Sequence, residues 1–160
     1  MAGLTGGCMC GAVRYELKSE PYDSGWCHCR TCQLFSGAPA MAFTCVPRQD
    51  FVWTEGDEQV RWIKTSSFGR RAFCGQCGSP LQVQVDHQPE TLDFPIVTLD
   101  EPDAVAPEFH IFWGSKVAWF NPEDDLPRHE KFRPNTRGLE GTEPPDDSSL
   151  SGGGRSGRSA

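Results

Sequence analysis

A chain of 160 residues with 15 lysines and arginines against 22 aspartates and glutamates carries a net charge of −7. That is the wrong sign for a protein that grips a phosphate backbone, so no nucleic-acid partner is expected, and the length allows one hydrophobic core and a tail. No run reaches the roughly 18 consecutive apolar residues of a membrane span, and Met1 to Gly7 has neither the basic nor the apolar part of a secretion leader, so a cytoplasmic protein without membrane association is expected.

Along the chain, apolar residues recur at alternate positions over short runs, the pattern of half-buried strands. Val13, Tyr15 and Leu17 give the first. Strands are expected next over Ala40 to Val46, Phe51 to Glu55 and Val60 to Lys64. Leu81, Val83 and Val85 mark another, followed by Leu92 to Leu99 and Phe109 to Trp113, with Pro, Gly and Asp in the intervening turns. Only Cys29 to Phe35 suits a short helical turn. No segment keeps an apolar 3.6-residue period for about ten residues, so the class is all-β with little helix and no βαβ unit to hold a nucleotide. From Asn135 to Ala160 the composition turns to Gly, Ser, Pro and acidic residues, with Leu139 and Leu150 the sizeable apolar side chains; this tail is expected to be disordered. The 12 basic and 18 acidic residues before position 135 keep the folded part acidic.

Eight cysteines stand out. In a reducing compartment they are better read as metal ligands or reactive groups than as disulfides. Cys8 and Cys10, two apart in an extended segment, can offer both sulfurs to one ion while Met9 points away. Cys74-Gly75-Gln76-Cys77-Gly78 has the spacing and glycines of a zinc turn; a redox dithiol would call for the βαβ context that is missing. The two pairs together make a tetrahedral four-thiolate site. It would tie residues over sixty positions apart and contribute to folding directly. Iron also takes four cysteines.

Cys27-His28-Cys29-Arg30-Thr31-Cys32 can grip one face of a second zinc with three thiolates. A fourth position left open is the arrangement of a reactive rather than a structural site. His28, between two ligands, should project to the opposite side and be hydrogen-bonded to backbone or solvent. Cys45 alternates with Met41 and Phe43 and reads as a small buried hydrophobe; were it a fourth ligand, the second site would be closed.

These elements resemble the glutathione-dependent formaldehyde-activating enzyme family, also called centromere protein V-like. The resemblance runs from Gly7-Cys8-Met9-Cys10-Gly11-Ala12-Val13-Arg14-Tyr15 through Cys27 to Gln33, Gly37-Ala38-Pro39, Ser66-Ser67, Arg71 and Phe73 to Ser79, to His110-Ile111-Phe112. It implies a domain over residues 4–120, a C-terminal extension over 121–134 and a β-tent fold of small antiparallel sheets stapled by zinc. It implies two zinc ions per chain: a structural one on Cys8, Cys10, Cys74 and Cys77, and a second on Cys27, Cys29 and Cys32. The implied activity is that of a carbon–sulfur lyase, whose founding reaction joins formaldehyde to glutathione as S-(hydroxymethyl)glutathione.

Three thiolates on a divalent ion leave a formal charge of −1, a mild Lewis acid suited to an incoming thiolate. The carboxylates of glutathione would want cations, for which Arg30, Arg70 and Arg71 are candidates. Trp26, Phe35 and Trp113 are candidates for an apolar pocket wall or for core. Two readings from other classes are a zinc-stapled binding module without turnover and a zinc or redox sensor. A chain truncated after Pro134 is expected to melt within about 2 °C of the full-length protein; a larger drop would show that the tail packs on the domain.

Overall fold

A computed structural model describes residues 3–134; the tail expected to be disordered, 135–160, lies outside the described residues. The strands run β1 (Thr5–Gly7), β2 (Arg14–Leu17), β3 (Tyr22–Cys27), β4 (Met41–Pro47), β5 (Phe51–Glu55), β6 (Val60–Lys64), β7 (Gly69–Cys74), β8 (Pro80–Val85), β9 (Thr91–Pro95) and β10 (His110–Ile111), with one α-helix among the described residues, α1 (Arg30–Ser36). The class is all-β, as the short alternating runs require. Among the described residues no helix is long and apolar enough to cross a membrane.

The strands form a three-stranded sheet ordered β1-β2-β5 and a seven-stranded sheet ordered β10-β3-β4-β9-β8-β7-β6. One pairing departs from the expected antiparallel pattern. β10 runs parallel to β3, setting His110 beside Trp26 and Ile111 beside Cys27. The strand expected over Leu92 to Leu99 ends at Pro95 and continues as a 3-10 turn, Ile96–Thr98. Of Phe109 to Trp113 only two residues join a ladder, because Phe112 turns to φ 53°.

Tyr15, Leu17 and Phe51 from the small sheet pack on Val46, Leu92, Phe94, Ile96 and Leu99, and this is the core that holds the two sheets face to face. Tyr15 is wholly buried and stacks on Phe51 with ring centroids 4.4 Å apart, its hydroxyl bonded to Thr98 Oγ1 at 2.7 Å. A second cluster, Met41, Phe43, Phe68, Val83, Phe109, Ile111 and Phe112, surrounds Cys27, Cys29 and Cys32. The third, Val13, Ala72 and Leu81, underlies Cys8 and Cys74.

The segment 121–134 is laid against the β3–β10 edge. His110 N–H donates to the Pro127 carbonyl at 2.8 Å, His129 N–H returns to the His110 carbonyl at 2.9 Å, and Phe132 packs on Phe112 with centroids 4.7 Å apart. Within β3, Gly25 is required by that packing, since a Cβ there would come within 2.4 Å of Phe109 Cε2. Gly25→Ala is expected to cost about 1–3 kcal/mol by overpacking, read as a lower denaturant midpoint at unchanged slope. An unchanged midpoint would show that Phe109 can move aside without loss.

Candidate metal centres

The turn after β1 carries Cys8 and Cys10, and the end of β7 with its following turn carries Cys74 and Cys77. The four sulfurs lie within 4.8 Å of one another. Zinc–sulfur bonds of about 2.3 Å in a tetrahedron put neighbouring sulfurs about 3.8 Å apart. Here Cys8 and Cys10 are separated by 3.5 Å and Cys10 and Cys74 by 3.9 Å. Four soft donors at that spacing fit zinc. The first pair sits in a turn, closed by Gly11 N–H on the Cys8 carbonyl at 3.1 Å, rather than in the extended segment expected; Met9 nonetheless points outward, 83% exposed. Gln76 N–H donates to the Cys74 sulfur at 3.4 Å and Val13 N–H to the Cys8 sulfur at 3.3 Å; against its desolvation, that bond and those of Cys10 and Cys74 hold the Cys8 thiol below its ordinary value.

Cys27, Cys29 and Cys32 also bring their sulfurs within 4.8 Å, and all three are buried. Local folding explains it. Cys27 ends β3, and His28 N–H bonds the Ile111 carbonyl at 3.1 Å, so the parallel pairing with β10 continues to the start of the loop. Cys29 is the N-cap of α1, its sulfur accepting from Cys32 N–H at 3.3 Å; the helix closes at Gly37, whose φ of 67° suits glycine. One turn of helix thus carries Cys32 back toward Cys29. Arg71 Nη2 donates to the Cys32 sulfur at 3.3 Å. The Cys27 and Cys29 thiols on the same sulfur, with the charge of Arg71, hold Cys32 well below the ordinary thiol range despite its burial. Three buried sulfurs with a cation beside them fit a zinc ion with one position left for another ligand. Among the described residues no fourth Cys, His, Asp or Glu joins the group.

His28 projects away from the sulfurs, as expected, but its partner is a second histidine rather than backbone or solvent. Its Nε2 meets His110 Nδ1 at 2.8 Å, and His110 Nε2 meets both oxygens of Asp124 at 3.1 Å. Burial first, then the neighbouring His110, pushes His28 down to about 4, so it is neutral at physiological pH. Cys45 is fully buried on β4, apart from both sulfur groups.

Beside the three sulfurs lies a cavity of about 70 Å³, room for roughly five water-sized groups. Its walls are mostly apolar, from Met41, Phe43, Phe68, Phe109, Phe112 and Phe132, with Arg71, Asp23, Asp93 and Arg133 as its charged members. Asp23 is buried at φ 57° and paired with Arg133, whose guanidinium lies 4.3 Å over the Phe109 ring. Of the arginines named from the sequence, only Arg71 reaches this cavity. Arg30 bonds Gln33 at 3.3 Å and lines a separate groove with Val117 and Trp119, and Arg70 lies 4.4 Å over Trp62 on the outside of β7. None of Trp26, Phe35 and Trp113 is among its walls: Phe35 backs Arg71 and Trp113 packs on His28. Phe68, Phe132, Asp23, Asp93 and Arg133 were not legible as site residues, since they come from four separate segments and share no spacing.

Comparison with known proteins agrees with this arrangement. The sequence profile of the family described as glutathione-dependent formaldehyde-activating enzyme matches residues 3–115. A Schizosaccharomyces pombe protein described as an uncharacterized lyase is 34% identical over 81 residues, 51% of this chain and 57% of its own length, so the match spans little more than half of that relative. A Halomonas elongata protein, named provisionally as a glutathione-dependent formaldehyde-activating enzyme, is 30% identical over 124 residues, 72% of this chain and 78% of its own. The crystal structure of a Rhodobacter sphaeroides protein superposes with a TM-score of 0.51 at 20% identity, covering 78% of this chain and 98% of the other, which shows a shared fold.

Two sites of unequal grip should release zinc to a chelator in two phases. Cys74→Ser is expected to unfold or aggregate the protein, and Cys29→Ser to leave a folded protein with about one zinc fewer, read by metal analysis beside circular dichroism. Equal damage from both would remove the distinction between a closed and an open site.

Proposed function

Because the chain belongs to the glutathione-dependent formaldehyde-activating enzyme family, we propose that it is a zinc-dependent carbon–sulfur lyase that forms and splits adducts of a small thiol with a small aldehyde. Cys27, Cys29 and Cys32 are its reactive zinc ligands, and Cys8, Cys10, Cys74 and Cys77 hold a second, structural zinc. The observation that carries this reading is the three-sulfur group in the wall of an apolar cavity, with no fourth side-chain donor among the described residues. A zinc ion there would supply a coordination position at which an incoming thiol ionises near neutral pH.

The chain's own residues set the rest of the chemistry. Arg71 offsets the negative charge of three clustered thiolates, and its burial makes that interaction stronger than at a surface. The phenyl walls keep bulk water from a reactive aldehyde. His28, turned toward His110 and Asp124, fixes the backbone between two ligands from behind without competing for the ion. A volume near 70 Å³ admits a thiol-bearing arm and a one-carbon aldehyde but not a whole tripeptide. For glutathione, the family's thiol, the carboxylates would therefore lie outside the cavity.

Zinc-loaded protein is expected to speed exchange between formaldehyde plus glutathione and the hydroxymethyl adduct, measured by two-dimensional exchange NMR. The comparison is Cys29→Ser at equal concentration, because the uncatalysed reaction is itself facile. A cobalt-substituted sample should change its absorption when a thiol is added. A spectral change without rate enhancement would move the substrate to another thiol or aldehyde, and no change with any thiol would favour a closed site and a binding module.

A further inference from the structure

A guanidinium carries five N–H donors, and each one buried without an acceptor costs stability comparable to a lost hydrogen bond. Arg71 is 5% exposed, on the inward face of β7 opposite Val83. One of its nitrogens, Nη2, donates to the Cys32 sulfur. Nε and Nη1 have no acceptor among the described residues. Phe68, Val83 and Phe112 of the same wall offer none; of the two cavity carboxylates, Asp23 is paired with Arg133, and Asp93, on β9 opposite Val83, accepts from neither nitrogen. Offsetting the charge of the sulfurs does not by itself call for this geometry, since a lysine would place a point charge there without a fork of fixed donors. An oxygen held beside the sulfurs would satisfy Nη1, which shares the end of the guanidinium with Nη2.

We infer that Arg71 is the oxygen-binding residue of this cavity, donating from Nη1 to the oxygen of the one-carbon unit while Nη2, at the same end of the guanidinium, holds Cys32 and keeps that oxygen next to the reacting sulfur. The inference rests on the lyase reading and deepens it. When the substrate's thiolate sulfur forms the C–S bond to the aldehyde carbon, the C=O π pair moves onto oxygen and the guanidinium meets the growing alkoxide charge. The proton lost when the thiol ionised then returns to that oxygen, giving the hydroxymethyl thioether. In reverse, the oxygen loses that proton, C=O re-forms and the C–S pair leaves on sulfur. Arg71 keeps its own protons throughout and acts through its field and its donors.

The test uses zinc-loaded full-length protein, its Arg71→Lys and Arg71→Gln variants, and formate alone as the oxygen probe, followed by ligand-detected NMR. Formate is expected to bind the wild type and to weaken at least about tenfold in both variants, in keeping with loss of charge-assisted hydrogen bonds. Zinc content should hold, and the spectral response of cobalt-loaded samples to ethanethiol should stay within about threefold across the three proteins, since ethanethiol carries no oxygen to lose. Arg71→Lys keeps the charge and so remains informative where Arg71→Gln fails to fold. Formate binding equally well to wild type and Arg71→Lys, or not at all to the wild type, would overturn the assignment. Loss of one zinc from Arg71→Lys would do the same, making Arg71 a support of the cysteines only. Wild type that binds formate in an Arg71-dependent manner but takes up no thiol would remove the lyase reading and leave the oxygen site standing.

Discussion

Four sulfurs from two sheets, crowded within 4.8 Å, are the constraint on which the rest of the structure depends. As thiolates they would repel one another, and a cation between them turns that repulsion into a cross-link. Such a link would join the turn after β1, in the small sheet, to the end of β7, in the large one. With the Tyr15, Phe51 and Phe94 core it would tie the two sheets together, and Arg71 stands on the same strand, three residues before Cys74.

The second sulfur group depends on different devices. Its ligands are placed by a parallel two-residue ladder, a cysteine N-cap and one short helix. None of these is stable alone, since a helix of seven residues and a strand of two are below the length at which either persists in water. They are held by the phenyl cluster and by the 121–134 segment, whose Asp124 anchors the His110–His28 pair and whose Phe132 and Arg133 wall the cavity. That segment lies beyond the residues matched by the family profile, which end at 115. Phe132 and Arg133 of the cavity wall thus stand outside the matched residues.

The cysteine grouping was legible because metal chemistry imposes its own spacing, independent of fold. β2, β4, β5, β6 and β8 were legible because each has one apolar face over a run of alternating residues. β3 was not. Its Asp23, Ser24 and Gly25 are poor strand formers, kept inside by Arg133, by the Thr44 hydroxyl at 2.7 Å and by the Phe109 ring. β7 was hidden by Arg70 and Arg71, adjacent charges of which one is exposed and one buried, a difference set by partners on other strands. The cavity's charged residues depend on tertiary contacts alone, and no local pattern announces them.

The division into a closed and an open zinc site is tested most directly by zinc-edge X-ray absorption on the purified holo protein, with and without a small thiol. One four-sulfur site and one three-sulfur site give, on average, about 3.5 sulfur neighbours per zinc with a minor shell of lighter atoms, rising to about four sulfurs and no lighter shell when the thiol is added. Four sulfurs per zinc before any thiol is present, unchanged by its addition, would contradict the open site.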